Sequence, residues 1–120
     1  MLSKFIERDR KIYWTRHSRE KMRQYQLSES RLKRILRNPE RKEIGIAPGT
    51  TAVMQSTGAK KSPKEIWVMY QVINSQLTTH NLQPNKIRMI SAWRYPGRSP
   101  IGKPPIPDDI LEELNNLSSS

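Results

Sequence analysis

The chain predicts an α+β domain, and three observations carry that prediction. Residues 16–37 hold two short helical patterns separated by a capping serine. Residues 41–93 hold four runs rich in β-branched and aromatic side chains, set apart by turn signals. A proline-rich stretch, Pro96 to Pro107, then separates these runs from a last amphipathic segment. Two helices can cover one face of a sheet and leave the other partly open. The expected architecture is two N-terminal helices packed on a four- to five-stranded, mainly antiparallel sheet, plus a C-terminal helix. At 120 residues a single domain is expected.

The first strand is expected over Lys11 to Thr15, a short aromatic and β-branched run. Arg16 to Tyr25 follows as a helix, with Met22 and Tyr25 on one face and His17, Lys21 and Gln24 on another. Ser28 caps a second helix that runs to Arg37, where Leu32, Ile35 and Leu36 form the apolar stripe. Asn38-Pro39 stops it, because proline disfavours the α region in the residue before it. Arg41 to Ile46 reads as a strand ending at Ala47-Pro48-Gly49, and Thr50 to Gln55 as the next. After a polar loop, Glu65 to Ile73 is apolar at both alternating sets, as a strand buried on both faces must be. Asn74 to Asn85 is a polar hairpin loop. Lys86 to Trp93 closes the sheet, with Ile87, Met89 and Trp93 on one face and Arg88, Ile90, Ala92 and Arg94 on the other. Ile106 to Leu117 is an acidic amphipathic helix with Ile110, Leu111, Leu114 and Leu117 on its apolar side. Asp108 and Asp109 fall in its first turn, where the helix dipole favours them.

The formal charge is +11, from 22 Lys and Arg against 11 Asp and Glu. It is concentrated: residues 1–42 hold 14 of the basic side chains, whereas residues 107–120 hold four acids and no base. So basic a chain attracts polyanions in a salt-dependent way, which points to nucleic acid ahead of a membrane surface or an acidic protein. Cysteine is absent, which removes disulfides, thiol nucleophiles and thiolate zinc sites. His80 sits in a polar loop with no second ligand nearby in sequence, so no metal and no cofactor is expected. The longest apolar run, Ile66 to Tyr70, cannot span a bilayer, and residues 1–10 lack the apolar core of a signal peptide. A cytoplasmic protein is expected.

One set of spacings resembles a known family. His17-x-x-x-Lys21-Met22, then Leu27-Ser28-Glu29 opening a helix, then Arg37-Asn38-Pro39, resembles an uncharacterised domain family with the pattern H-x-x-x-[RK]-M. That family looks related to the RelE/ParE and BrnT toxins. Ile87-Arg88-Met89-Ile90-Ser91-Ala92-Trp93-Arg94 is similar to the I-R-I-I-S-A-R segment of the BrnT group. The resemblance covers residues 11–95, preceded by an extension at 1–10 and followed by a proline-rich arm and acidic helix at 96–120. It implies a RelE-like fold and, in toxin members, metal-independent endoribonuclease activity restrained by a separate antitoxin. The residues that follow I-S-A-R in the BrnT group are replaced here by Tyr95-Pro96-Gly97-Arg98-Ser99-Pro100.

Within that reading the candidate catalytic residues are His17, Arg94 and Tyr95. At a helix start the dipole disfavours imidazolium, so a neutral His17 could act as base on a ribose 2′-hydroxyl; it could equally hold the strand–helix junction. Arg94 would stabilise charge on the scissile phosphate, or be a solvated strand end. Tyr95 would stack on a base, donate to a phosphate, or pack. Arg16, Arg19, Lys21, Arg23, Arg31, Arg34, Arg37, Arg88 and Arg98 are the candidate nucleic-acid contacts. Trp14, Trp67 and Trp93 are expected in the core. The C-terminal acids either belong to an ordinary capping helix or lie against the basic groove and compete with RNA. The expected partners are RNA, ribosome-associated or free, and an antitoxin. The competing functions are a nucleic-acid or ribosome-binding module without chemistry, and a domain that binds an acidic protein.

Overall fold

The computed structural model describes residues 11–73 and 86–118, with the side chains of the last helix described as far as Glu113. The N-terminal extension, the 74–85 loop with His80, and the side chains of Leu114 and Leu117 lie outside the described residues. The elements are β1 (Lys11–Trp14), α1 (Arg16–Tyr25), α2 (Glu29–Arg37), β2 (Arg41–Ile44), β3 (Thr50–Thr57), β4 (Lys64–Ile73), β5 (Lys86–Pro96) and α3 (Asp108–Ser118). They form an α+β fold with one five-stranded sheet in the order β1-β5-β4-β3-β2. The sheet is mixed: β1 lies parallel to β5, and the other three pairings are antiparallel.

The helix boundaries follow local chemistry. Thr15 caps α1, accepting from Ser18 N at 3.1 Å, while its hydroxyl donates to Met89 O at 2.6 Å and ties the helix start to β5. Gln26 closes α1 in the left-handed region, at φ 56°, and Leu27 N returns to Met22 O. Ser28 caps α2 by accepting from Arg31 N at 3.1 Å. β2 ends earlier than the sequence suggests because Gly45 lies against Thr50, and a Cβ there would fall on the Thr50 hydroxyl.

Both faces of the sheet are packed. On one, Met22 and Leu27 with Leu32, Ile35 and Leu36 of α2 bury Val53, Ile66, Val68, Tyr70, Ile87 and Met89. On the other, the arm and α3 bring Ile106 and Ile110 over Ala52, Met54, Trp67, Met69 and Trp93. The arm and α3 thus cover this second face in part and leave the rest of it open. Trp67 and Trp93 stack there at 6.3 Å between centroids.

The face assignment within β5 also needs correcting. Met69 pairs with Ser91 but Tyr70 pairs with Met89, so Ile90 is an extra residue in the ladder. This bulge reverses the alternation that follows it. Ile87, Met89 and Ala92 share the helix-side core, and Trp93 enters the opposite one. Arg88 and Arg94, expected on one face, are on opposite faces.

The arm is held by one buried carboxylate. Glu65 accepts from Trp67 Nε1 at 2.8 Å, Ser99 N at 3.1 Å and Ser99 Oγ at 2.6 Å. Arg41 lies 3.5 Å from the same carboxylate, sits over the Trp67 ring and donates to Ser99 O. Burying a carboxylate is tolerable only with such compensation.

Candidate functional site

Two matched spacings build a polar cluster between α1 and α3. His17 and Lys21 lie four apart on α1, and Asp109 and Glu113 lie four apart on α3, so each pair shares a helix face. The helices run antiparallel. Lys21 Nζ meets Asp109 Oδ2 at 2.8 Å, Glu113 Oε1 at 3.0 Å and Gln24 Oε1 at 3.0 Å. His17 Nδ1 lies 2.7 Å from Glu113 Oε2, and its Nε2 lies 3.1 Å from Ser91 Oγ. The acids of the last helix thus engage the histidine and the lysine of the first.

The titrations follow from the geometry. Burial pushes the His17 pKa down, and the nearby Glu113 carboxylate only partly offsets it. The shift favours the neutral imidazole over the imidazolium. Burial also acts to lower Lys21, but its hydrogen bonds to Asp109 and Glu113 outweigh this and raise its pKa. The Lys21 hydrogen bond holds Asp109 below the usual carboxylate range.

Ser91, His17 and Glu113 are arranged in line, as a nucleophile, base and orienting acid would be. Ser91 is fully buried, however, and Glu113 belongs to the helix that helps cover this face. A substrate reaching Ser91 Oγ would have to move the group that orients the base, so the trio acts as a polar joint between α1, β5 and α3.

The structure does not bring His17 and Arg94 together. Arg94 Nε donates to Tyr25 O at 2.7 Å and its Nη2 to Gln26 O at 3.2 Å, closing the C-terminal end of α1. His17 lies at the other end, about 12 Å away along the helix axis. Tyr95 and Arg94 line a groove of about 330 Å³ with Tyr25, Pro96, Ile106 and Pro107, away from His17. Arg98 is exposed on the arm. Arg88 is exposed on the opposite sheet face from Arg94 and donates to Gln71 at 3.2 Å.

The remaining cations form two stripes. Arg16, Arg19 and Arg23 follow one side of α1, and Arg31, Arg34 and Arg37 follow one side of α2, each at helical spacing. Arg16 is 94% exposed, and Arg23, Arg34 and Arg37 are open to solvent, whereas Arg31 is half-buried. Arg16 faces Glu20 at 3.5 Å and Arg19 faces Glu29 at 3.4 Å. Arg19 and Arg23 line a shallow groove of about 410 Å³ at the α1–α2 turn, with Met22, Gln26, Leu27 and Ser28. Lys21 departs from this set: its side chain is 6% exposed and spent on carboxylates.

Sequence reasoning offered the C-terminal acids against the basic groove as one alternative but did not pair Asp109 and Glu113 with Lys21 and His17, and it missed Ser91. The signal was present in part, since a basic i, i+4 pair on one amphipathic helix complements an acidic i, i+4 pair on another. Among the described residues no three His, Asp or Glu side chains converge as metal ligands would, and no helix is long and apolar enough to cross a membrane. Comparison with protein-family models, with curated proteins and with solved structures returned no match.

Proposed function

We propose that this chain is an RNA-binding protein of the RelE/BrnT-like class, holding the phosphate backbone on the outer faces of α1 and α2. The observation that carries this reading is the pair of arginine stripes on α1 and α2, mostly open to solvent, with Arg19 and Arg23 of the first lining the groove at the α1–α2 turn. Arginine forks match phosphate oxygens bidentately, and released counterions supply the affinity. The two-helix layer on the sheet supports the RelE/BrnT likeness. On that likeness an antitoxin, free or with the complex at the ribosome, would compete for the same basic surface.

Metal-independent cleavage is the second reading. His17 favours it: burial lowers its pKa, and a carboxylate lies 2.7 Å from Nδ1, the orientation a general base needs. Against it, Nε2 faces Ser91 and Arg94 caps a helix at a distance. Binding without chemistry is therefore the reading the geometry supports best.

The test is to incubate the purified protein with labelled RNA in EDTA, beside Arg19→Ala/Arg23→Ala, His17→Ala and Arg94→Ala. Salt-sensitive binding without cleavage is expected. The arginine double variant should weaken binding and lower the slope of log affinity against log salt by about 0.7 for each lost phosphate contact. Cleavage in EDTA that collapses in the His17 and Arg94 variants would move the assignment to a ribonuclease. Indifference to RNA at low salt would end the RNA reading.

A further inference from the structure

The half-open sheet face carries a second basic surface, distinct from the helices. Register fixes its members. β1 and β5 are parallel neighbours with Lys11 beside Lys86 and Tyr13 beside Arg88. Arg88 pairs in turn with Gln71, and Lys86 with Ile73. Adjacent positions in a ladder share a face, so Lys11, Tyr13, Lys86 and Arg88 all project from the same side. This is the side of Met69 and Trp93, which Ile106 and Ile110 cover farther along the sheet. Lys11, Lys86 and Arg88 are exposed, and Tyr13 is 63% exposed.

Tyr13 contrasts with its neighbours. Ile12 and Trp14, on either side of it in β1, turn inward and pack against the helix-side core. An aromatic ring standing in solvent on a short edge strand contributes little to folding. Here it is bordered in the ladder by three cations, and none of the described strand positions beside it carries a carboxylate. Gln71 accepts from Arg88 and steadies the guanidinium beside the ring. The acids Asp109 and Glu113 are engaged by Lys21 and His17.

We propose that this surface binds single-stranded nucleic acid, with an unpaired base stacked on Tyr13 and the flanking phosphates held by Lys11, Lys86 and Arg88. The two rungs lie about 7 Å apart along the strands, so cations are within reach on more than one side of a stacked base. A duplex does not fit this surface, because its bases are already stacked and paired. The stack is tolerant of sequence, since every base has a π-face. The proposal rests on the RNA-binding reading and adds the class of ligand and the residue that selects it.

The experiment is fluorescence anisotropy with a short labelled single-stranded RNA of mixed sequence and with its duplex. The proteins are the wild type, Tyr13→Ala, Tyr13→Phe, Arg88→Gln and Arg19→Ala/Arg23→Ala, each checked for an unchanged melting transition. Tyr13→Ala should weaken single-strand binding roughly tenfold, the size of one lost base stack, and leave duplex binding alone. Tyr13→Phe should restore it, and Arg88→Gln should lower the salt slope by about 0.7. Equal single-strand affinity in wild type, Tyr13→Ala and Arg88→Gln would overturn this surface, while a loss confined to the Arg19→Ala/Arg23→Ala protein would leave the helical RNA reading standing. A wild type that prefers duplex would also overturn it. A wild type that binds no RNA, or captures an acidic polypeptide instead, would overturn both. Arg88→Gln gives an independent readout should Tyr13→Ala disturb β1.

Discussion

His17 is a residue whose type announced chemistry and whose surroundings assign it a joint. It bridges Ser91 and Glu113, and burial lowers its pKa. A histidine whose folded pKa lies below its ordinary value of 6.5 stabilises the fold fully above that value. The contribution is lost as pH falls through the lower, folded value, because the unfolded chain takes up the proton first. Urea unfolding should therefore give a lower midpoint at about pH 5.5 than at about pH 7.5, with a smaller difference in His17→Gln. Equal pH dependence in the two proteins would remove this account of His17. Arg94 makes the same point without titration. Its position in a basic segment suggested phosphate, but the exposed carbonyls at the end of α1 are the groups it binds. Nothing in the sequence pairs residues 25 and 94, whereas Ser28 was readable as a cap because its partner lies three residues away.

At the scale of elements, the strands were legible because their apolar alternation is local. β4 is apolar at both alternating sets and is buried on both faces from Glu65 to Tyr70. The faces of β5 were misread because a single extra residue, Ile90, is invisible to a period-two pattern. The arm shows a different limit. Prolines excluded regular structure there, but its docking depends on Glu65, a lone acid at the head of an apolar strand. Glu65→Ala would leave the Trp67 indole, the Ser99 amide and the Ser99 hydroxyl without their acceptor, while Arg41 would keep Glu43 at 3.0 Å as its counter-charge. The expected cost is about 3–5 kcal/mol, read from urea midpoints, with a red shift in tryptophan emission as the arm lifts from Trp67. An unshifted spectrum and midpoint would mean that the arm is held elsewhere.

At the scale of the molecule, charge is sorted by chain position and then partly recombined by the fold. The acidic end returns to the basic beginning, where Asp109 and Glu113 engage Lys21 and His17. On the RNA-binding reading these acids lower the potential felt by an approaching phosphate. Asp109→Asn combined with Glu113→Gln should then tighten RNA binding about two- to fourfold at moderate salt, a few tenths of a kcal/mol per charge. The effect should fade as salt rises, and a weaker complex would show that α3 supports the binding surface rather than shielding it.

The order and type of the elements, the stripes of apolar and basic side chains, and the strongly positive net charge were determined by the sequence by itself, because each depends on neighbours within a few residues or on composition. The tertiary structure alone decided which cations are free. It buried Lys21 against two acids some ninety positions away, turned Arg94 to a helix end, and left Tyr13 in solvent between Lys11 and Arg88. Those outcomes depend on a parallel pairing of the first and last strands and on one bulge, and both are contacts between residues that the chain holds far apart.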